Sequence, residues 1–267
     1  MEVPEGDTIL WAATRMRPVL AGHVPDLLDM PVGRPGALRG SAGRERWPPR
    51  LRGRAITRID THGKNLFLRF EGDLVLHSHL RMTGSWGVYA PGQRWHRPRS
   101  RAWIVFARDG HEVVEFDGPV LELLTEGRVR FDQRLAGLGP DVLAETFDGD
   151  RFLRLLRAED PTRLIGDALL DQRNLAGIGN IWKSEGCWEA GVDPWRTVGS
   201  VTDEQALAVV TGARPRMLAS GQRGPRFAAL RVYRLKGRPC PRCGTAIMAR
   251  PQGDGNRMTY WCPGCQS

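Results

Sequence analysis

Gln172-Arg-Asn174-Leu-Ala-Gly177-Ile-Gly179-Asn180-Ile-Trp-Lys183 joins two stretches of helical periodicity, 162–171 and 180–191. The glycines flanking Ile178 allow a turn with positive φ and a close backbone approach. A helix starting near Asn180 offers free N–H groups and the positive end of its dipole, a combination that suits a phosphate. Asn174 and Lys183 can add side-chain donors. An ordinary helix–turn–helix corner without a ligand has the same pattern. Helical periodicity over 148–158 and 202–219 extends this region into a helical domain.

Downstream, four of the five cysteines form two knuckles, Cys240-Pro-Arg-Cys243 and Cys262-Pro-Gly-Cys265. Their spacing matches a four-cysteine zinc ribbon holding one structural Zn2+, each knuckle giving two thiolates from one tight turn. The residues between them can form one hairpin, with Asp254-Gly255-Asn256 as its turn. Two disulfides are the competing reading. They would leave Cys187 over and would suit an exported chain, whereas the acidic N-terminus has no apolar signal region. The hairpin carries Arg250 and Arg257, which reads first as a nucleic-acid contact.

Upstream, residues 7–21 read as a helix capped by Asp7 or Thr8, with Ile9, Leu10, Ala13, Met16 and Leu20 on one face. Residues 30–50 are rich in Gly, Pro and Arg and read as loop. Ala55–Asp60, Asn65–Phe70 and Leu74–His79 read as strands, and Trp103–Phe106 with Glu112–Phe116 as a hairpin around Arg108-Asp109-Gly110. Residues 91–101 form a basic loop. The order predicts an α+β multidomain fold: an N-terminal β domain with a leading helix over 1–135, a linker over 136–147, a helical domain over 148–230 and a ribbon over 231–267.

A chain of 267 residues with 41% hydrophobic content can form two domains with cores of their own. Its net charge of +9 attracts phosphate polyanions. No stretch approaches 18 apolar residues, so no membrane partner is expected; reduced cysteines point to the cytoplasm, and the expected state is a monomer. Arginine dominates the basic residues and only Lys64, Lys183 and Lys236 are lysines. Where Lys persists against that bias, an amine has a use that a guanidinium lacks.

The 172–183 segment resembles the helix–two-turn–helix of the Fpg/Nei family of bifunctional DNA glycosylases, and the resemblance spreads over the chain. Pro4-Glu5-Gly6-Asp7-Thr8 resembles the family's N-terminal Pro-Glu, and His62-Gly63-Lys64-Asn65-Leu66 its Gly-Lys strand. Ser78-His79-Leu80-Arg81-Met82-Thr83-Gly84 resembles its strand-end loop, and Leu138-Gly139-Pro140-Asp141 its interdomain segment. Arg257-Met-Thr-Tyr-Trp-Cys262-Pro-Gly-Cys265-Gln266 resembles the closing half of its zinc finger.

The resemblance implies an N-terminal β-sandwich, base excision from double-stranded DNA carrying damaged bases or abasic sites, and β-elimination at the exposed sugar. Pro4 would be the amine that forms a Schiff base with C1′, and Glu5 the general acid/base. Lys64, Arg257 and Asn174 would hold phosphates, so that the damaged nucleotide flips into a cleft between the domains. His79 and Lys183 are further DNA contacts, and Met82 takes the place of the family's void-filling residue. Gly6-Asp7-Thr8, and Asp117-Gly118-Pro119 where Fpg enzymes insert an Arg-Phe pair, favour an endonuclease VIII-like enzyme for oxidised pyrimidines over an Fpg-type enzyme for oxidised purines.

One departure stands out. Behind Met1-Glu2-Val3, the Pro4 nitrogen is an amide and cannot form an iminium. A start misassigned at Val3 would restore the amine. A catalytically silent protein that binds damaged DNA, or a zinc-ribbon DNA-binding regulator, are the other readings.

Overall fold

The computed structural model describes residues 4–31 and 47–267, in two compact units. One comprises Pro4 and Thr8–Ala136; the other comprises Glu5–Asp7 and Gly137–Ser267. Most of the loop expected over 30–50 lies outside the described residues.

The first unit is a β-sandwich with a leading helix. Helix α1 (Gly6–Leu20) buries Ile9, Ala13, Met16 and Leu20, which recur at helical spacing. Strand β1 (Leu27–Asp29) and the short helix α2 (Trp47–Leu51) precede β2 (Ile56–His62), β3 (Asn65–Phe70), β4 (Leu74–His79) and β5 (Ser85–Tyr89). Then come β6 (Ala102–Arg108), β7 (His111–Phe116) and β8 (Val120–Thr125), followed by α3 (Glu126–Phe131) and α4 (Gln133–Ala136). One antiparallel sheet runs β2-β3-β4-β8 and the other β1-β6-β7-β5. Leu66, Leu68 and Leu76 of the first, Ile104, Phe106 and Val113 of the second, and Met16 of α1 share one core. Each such side chain, once buried, stabilises by about 1.5–3 kcal/mol.

The sandwich contains three strands that the sequence pattern does not reveal, the shortest being β1. Ser85-Trp-Gly-Val-Tyr89 has glycine at its centre, which weakens the strand signal. Val120-Leu-Glu-Leu-Leu-Thr125 lacks clean alternation, and its strand form is fixed by pairing with β4, His79 opposite Val120 through Leu74 opposite Thr125.

The second unit holds α5 (Gly149–Arg157), α6 (Ile165–Ala168), α7 (Asn180–Ala190) and α8 (Asp203–Arg223), then the hairpin strands β9 (Met248–Gln252) and β10 (Arg257–Trp261). The helix expected over 162–171 shrinks to α6. Asp160 accepts both the N–H and the hydroxyl of Thr162 in a turn, so the chain bends before it coils. Helix α8 begins at a capping box between Thr202 and Gln205. Helix α7 is the axis of the unit, with every residue from Trp182 to Trp188 buried. Glu185, fully buried, accepts from the backbone N–H groups of Arg231, Val232 and Tyr233 and from the Arg216 guanidinium. Among the described residues, no helix is long and apolar enough to cross a membrane.

The ribbon packs on α7 through Trp188, Val232, Cys240, Ile247 and Cys262. The Arg242 guanidinium lies 4.3 Å from the Trp188 ring centroid and donates to the carbonyls of Trp188 and Glu189, at the end of the helix where a cation suits the dipole.

Lys183 is also part of this packing, which corrects the expectation of a DNA contact. Its side chain is fully buried, and Nζ donates to Thr259 Oγ1 at 2.6 Å and Gln252 Oε1 at 3.1 Å. Burial is the largest influence and lowers its pKa to about 8; Arg257 lowers it as well, while Cys187, Asp167 and Glu5 oppose. Between pH 8 and 10.5 the unfolded chain therefore keeps a proton that the folded chain releases. Stability of the wild type relative to Lys183→Met should rise across that window. Urea unfolding of both proteins through the window checks this, and parallel pH profiles would contradict it.

Candidate functional site

Glu5 and Gly6 meet the two-glycine turn within the second unit. The Glu5 carboxylate, 1% exposed, accepts from the N–H groups of Gly179 at 3.0 Å, Ile181 at 2.8 Å and Trp182 at 3.3 Å. The Gly6 N–H donates to the Gly177 carbonyl at 2.9 Å, and the Asp7 carboxylate accepts from the Ser220 hydroxyl at 2.5 Å. The turn depends on its glycines. Gly177 has φ +100°, and a Cβ on Gly179 would lie 2.4 Å from the Glu5 carboxyl carbon. The anion expected as a ligand at the start of α7 is thus an internal one: the Glu5 carboxylate takes the donors that a phosphate was expected to use.

Gln172 staples the same turn. Its amide donates to the carbonyls of Leu170 and Ile178 and accepts from the Gly177 N–H. The sequence pattern gives no sign of this, because a single Gln in a loop is uninformative. Asn174 faces inward, with Nδ2 on Glu159 Oε1 at 2.8 Å and on the Ala168 carbonyl at 3.1 Å.

In the sandwich unit, Lys64 is half-buried in the turn between β2 and β3. The residue after it, Asn65, donates to the His62 carbonyl and meets His77 Nε2 at 2.9 Å. His77 is buried, faces Glu122 through Nδ1 at 3.2 Å and stacks on Phe67. The hydrogen bond with His77 is the largest cause holding the Glu122 carboxyl at about 2.

Burial first, then His77, Arg81 and Lys64, lower the His79 pKa to about 4. His79 Nδ1 accepts from the Arg81 N–H, which leaves the proton on Nε2. His79 thus brings a hydrogen-bond donor and no positive charge at neutral pH. Met82 stands out on the following turn, 59% exposed, where Gly84 N–H closes on the Leu80 carbonyl. The segment after β7 is tied down: Asp117 is buried and pairs with Arg97 and Arg101 of the basic loop.

The four ribbon cysteines place their sulfurs within 4.8 Å of one another. Cys240 and Cys265 lie 3.8 Å apart and Cys243 and Cys262 3.4 Å, against about 2.05 Å in a disulfide and about 3.8 Å between thiolates around a tetrahedral ion bound at about 2.3 Å. The donor set fits a soft divalent metal. Burial pushes the Cys240 thiol up, but the Trp188 indole N–H and the N–H groups of Arg242 and Cys243 outweigh it and set its pKa at about 6. Cys265 is pushed up to about 12, first by burial and then by the neighbouring cysteine sulfurs, a crowding that a bound cation relieves. Arg257 begins β10 at the exposed hairpin turn, whereas the Arg250 guanidinium lies 3.7 Å from the Trp195 ring centroid.

The chain matches the Formamidopyrimidine-DNA glycosylase N-terminal domain over residues 3–119 and the Formamidopyrimidine-DNA glycosylase H2TH domain over 138–221. It is 43% identical to a probable endonuclease 8 2 of Streptomyces coelicolor, over 99% of this chain and 94% of that protein. It is 34% identical to the DNA-(apurinic or apyrimidinic site) lyase Nei2 of Mycolicibacterium smegmatis, over 99% of each. Its fold is similar to that of the Lactococcus lactis Fpg in a complex with abasic-site DNA, with a TM-score of 0.82 and 23% identity over 99% of this chain and 100% of that one. The chain belongs to the formamidopyrimidine-DNA glycosylase family.

Proposed function

We propose that this protein is a base-excision-repair DNA glycosylase with AP lyase activity, acting on oxidised pyrimidines in double-stranded DNA. The observation that carries the reading is Glu5, seated by three backbone N–H groups directly after Pro4. A terminal proline supplies a secondary amine whose pKa lies near ~8, so a useful fraction is neutral at pH 7. Its lone pair forms the bond to C1′ as the bond to the base breaks, and the departing base takes a proton. Glu5 takes the proton that the attacking amine sheds and passes it to the sugar ring oxygen as the C1′–O4′ bond breaks, leaving a charged iminium. Loss of the C2′ proton then sends an electron pair into the iminium system as the 3′ C–O bond breaks.

Lys64 and Arg257 would each neutralise a backbone phosphate, and Met82 would fill the space left by the flipped nucleotide. Asn174 reaches a phosphate only if its amide exchanges Glu159 for a phosphate oxygen. His79 would add one neutral N–H donor. The domain boundaries that accompany this reading are 1–135, 136–147, 148–230 and 231–267. The protein would act as a monomer in the cytoplasm.

Pro4 is a nucleophile only in a chain that begins there. Protein processed to Pro4 should be trapped on abasic DNA by borohydride, and protein retaining Met1-Glu2-Val3 should bind that DNA with little trapping. Glu5→Gln should suppress base excision more than attack on ready-made abasic sites. Equal trapping of both chain forms through a residue other than Pro4 would refute the mechanism and leave the silent DNA-binding reading.

The pyrimidine preference rests on Gly6-Asp7-Thr8 and on Asp117-Gly118-Pro119 at the place of the inserted pair. Thymine glycol should be excised faster than 8-oxoguanine paired with cytosine in single-turnover assays; the reverse order would overturn this part.

Zn2+ is the ion we assign to Cys240, Cys243, Cys262 and Cys265. Elemental analysis should find one zinc per chain, and Cys240→Ser should lose it and weaken DNA binding. A metal-free protein that binds DNA fully would reject the assignment.

A further inference from the structure

Lys183 is the one buried lysine of the second unit, and an ammonium there is costly to bury. A methionine would fill the same space. What the ammonium adds is direction, and both of its bonds point to one place. Gln252 is the residue directly across the hairpin from Arg257. Thr259 is two residues beyond Arg257 on the same strand and therefore on the same face.

The three groups form a closed set. Thr259 Oγ1 accepts from Lys183 and donates to Gln252 Oε1 at 2.8 Å. The Gln252 amide donates onward to the Pro194 carbonyl at 2.8 Å. Gly166 makes room for that amide, since a Cβ there would lie 2.5 Å from Gln252 Oε1. A second tie comes from the first residue of the same helix, where Asn180 Nδ2 donates to the Met258 carbonyl at 2.7 Å. Helix α7 thus grips β10 on both residues that follow Arg257.

We propose that Lys183 is a positioning residue: it fixes the placement of the hairpin that carries Arg257, and through it the guanidinium offered to DNA. The second half rests on the reading of Arg257 as a phosphate contact.

The test uses full-length wild type, Lys183→Met, Arg257→Ala and the double variant, each checked for metal content. Affinity is measured for duplex DNA carrying a tetrahydrofuran abasic-site analogue, and amide hydrogen exchange is followed over Met248–Trp261. Arg257→Ala should bind about tenfold more weakly, as expected for one lost phosphate contact. Lys183→Met should weaken binding several-fold and speed hairpin exchange while the metal stays bound. The double variant should bind no more weakly than Arg257→Ala alone, because a positioning effect vanishes with the group it positions.

Unchanged hairpin exchange in Lys183→Met, or losses that add in the double variant, would overturn the proposal. Faster exchange with normal DNA affinity in Arg257→Ala would support the placement role of Lys183 and remove the phosphate reading of Arg257. Should Lys183→Met fail to fold, Thr259→Val tests the same contact from the hairpin side, with the same expected exchange and affinity.

Discussion

The first turn of α7 has backbone N–H groups with no partner inside the helix, and the helix is too deeply buried for water to serve all of them. Glu5 resolves this. Its carboxylate accepts three of the N–H groups around the helix start, at the positive end of the helix dipole. The consequences run both ways along the chain. The Gly177-Ile178-Gly179 turn is pressed against residues 5 and 6. A side chain on Gly179 would collide with the group that satisfies the helix.

The same helix carries two further buried charges, and each is answered by backbone or side chain. Glu185 gathers the N–H groups of 231–233, which sets where the chain leaves for the ribbon. Lys183 reaches the hairpin itself. At the far end, Trp188 donates to a ribbon cysteine while Arg242 of the ribbon donates back to the last carbonyls. A helix that is polar in composition can therefore be buried, because its charges are spent on fixing neighbours.

Much of this was legible in the residues. The four-cysteine spacing gave the ribbon and its hairpin, and the glycine pair gave the turn before α7. The strands Asn65–Phe70 and Leu74–His79 have the bounds that alternation and turn residues predict. What stayed hidden depends on tertiary partners. Lys183 reads as a solvent or DNA residue until Thr259 and Gln252 are placed beside it. His79 reads as a DNA contact of unspecified charge until burial and its neighbours lower its pKa. The start of α7 reads as a phosphate site, whereas the anion it holds is a carboxylate 174 positions away in sequence. Local pattern carries no information about so distant a partner.

That separation shapes how the protein comes into being on the ribosome. Residues 5–7 are made before the sandwich and belong with a unit whose remaining chain begins at Gly137. The whole sandwich sequence is made before the N–H groups that donate to the Glu5 carboxylate exist. Closing so long a loop adds only about 0.6 kcal/mol per doubling of its length, so the equilibrium cost is modest. The cost falls on time: contacts between residues far apart in sequence form late. The Glu5 carboxylate is made 174 residues before the Gly179 N–H that it accepts from, and its seat is complete only once α7 has been synthesised.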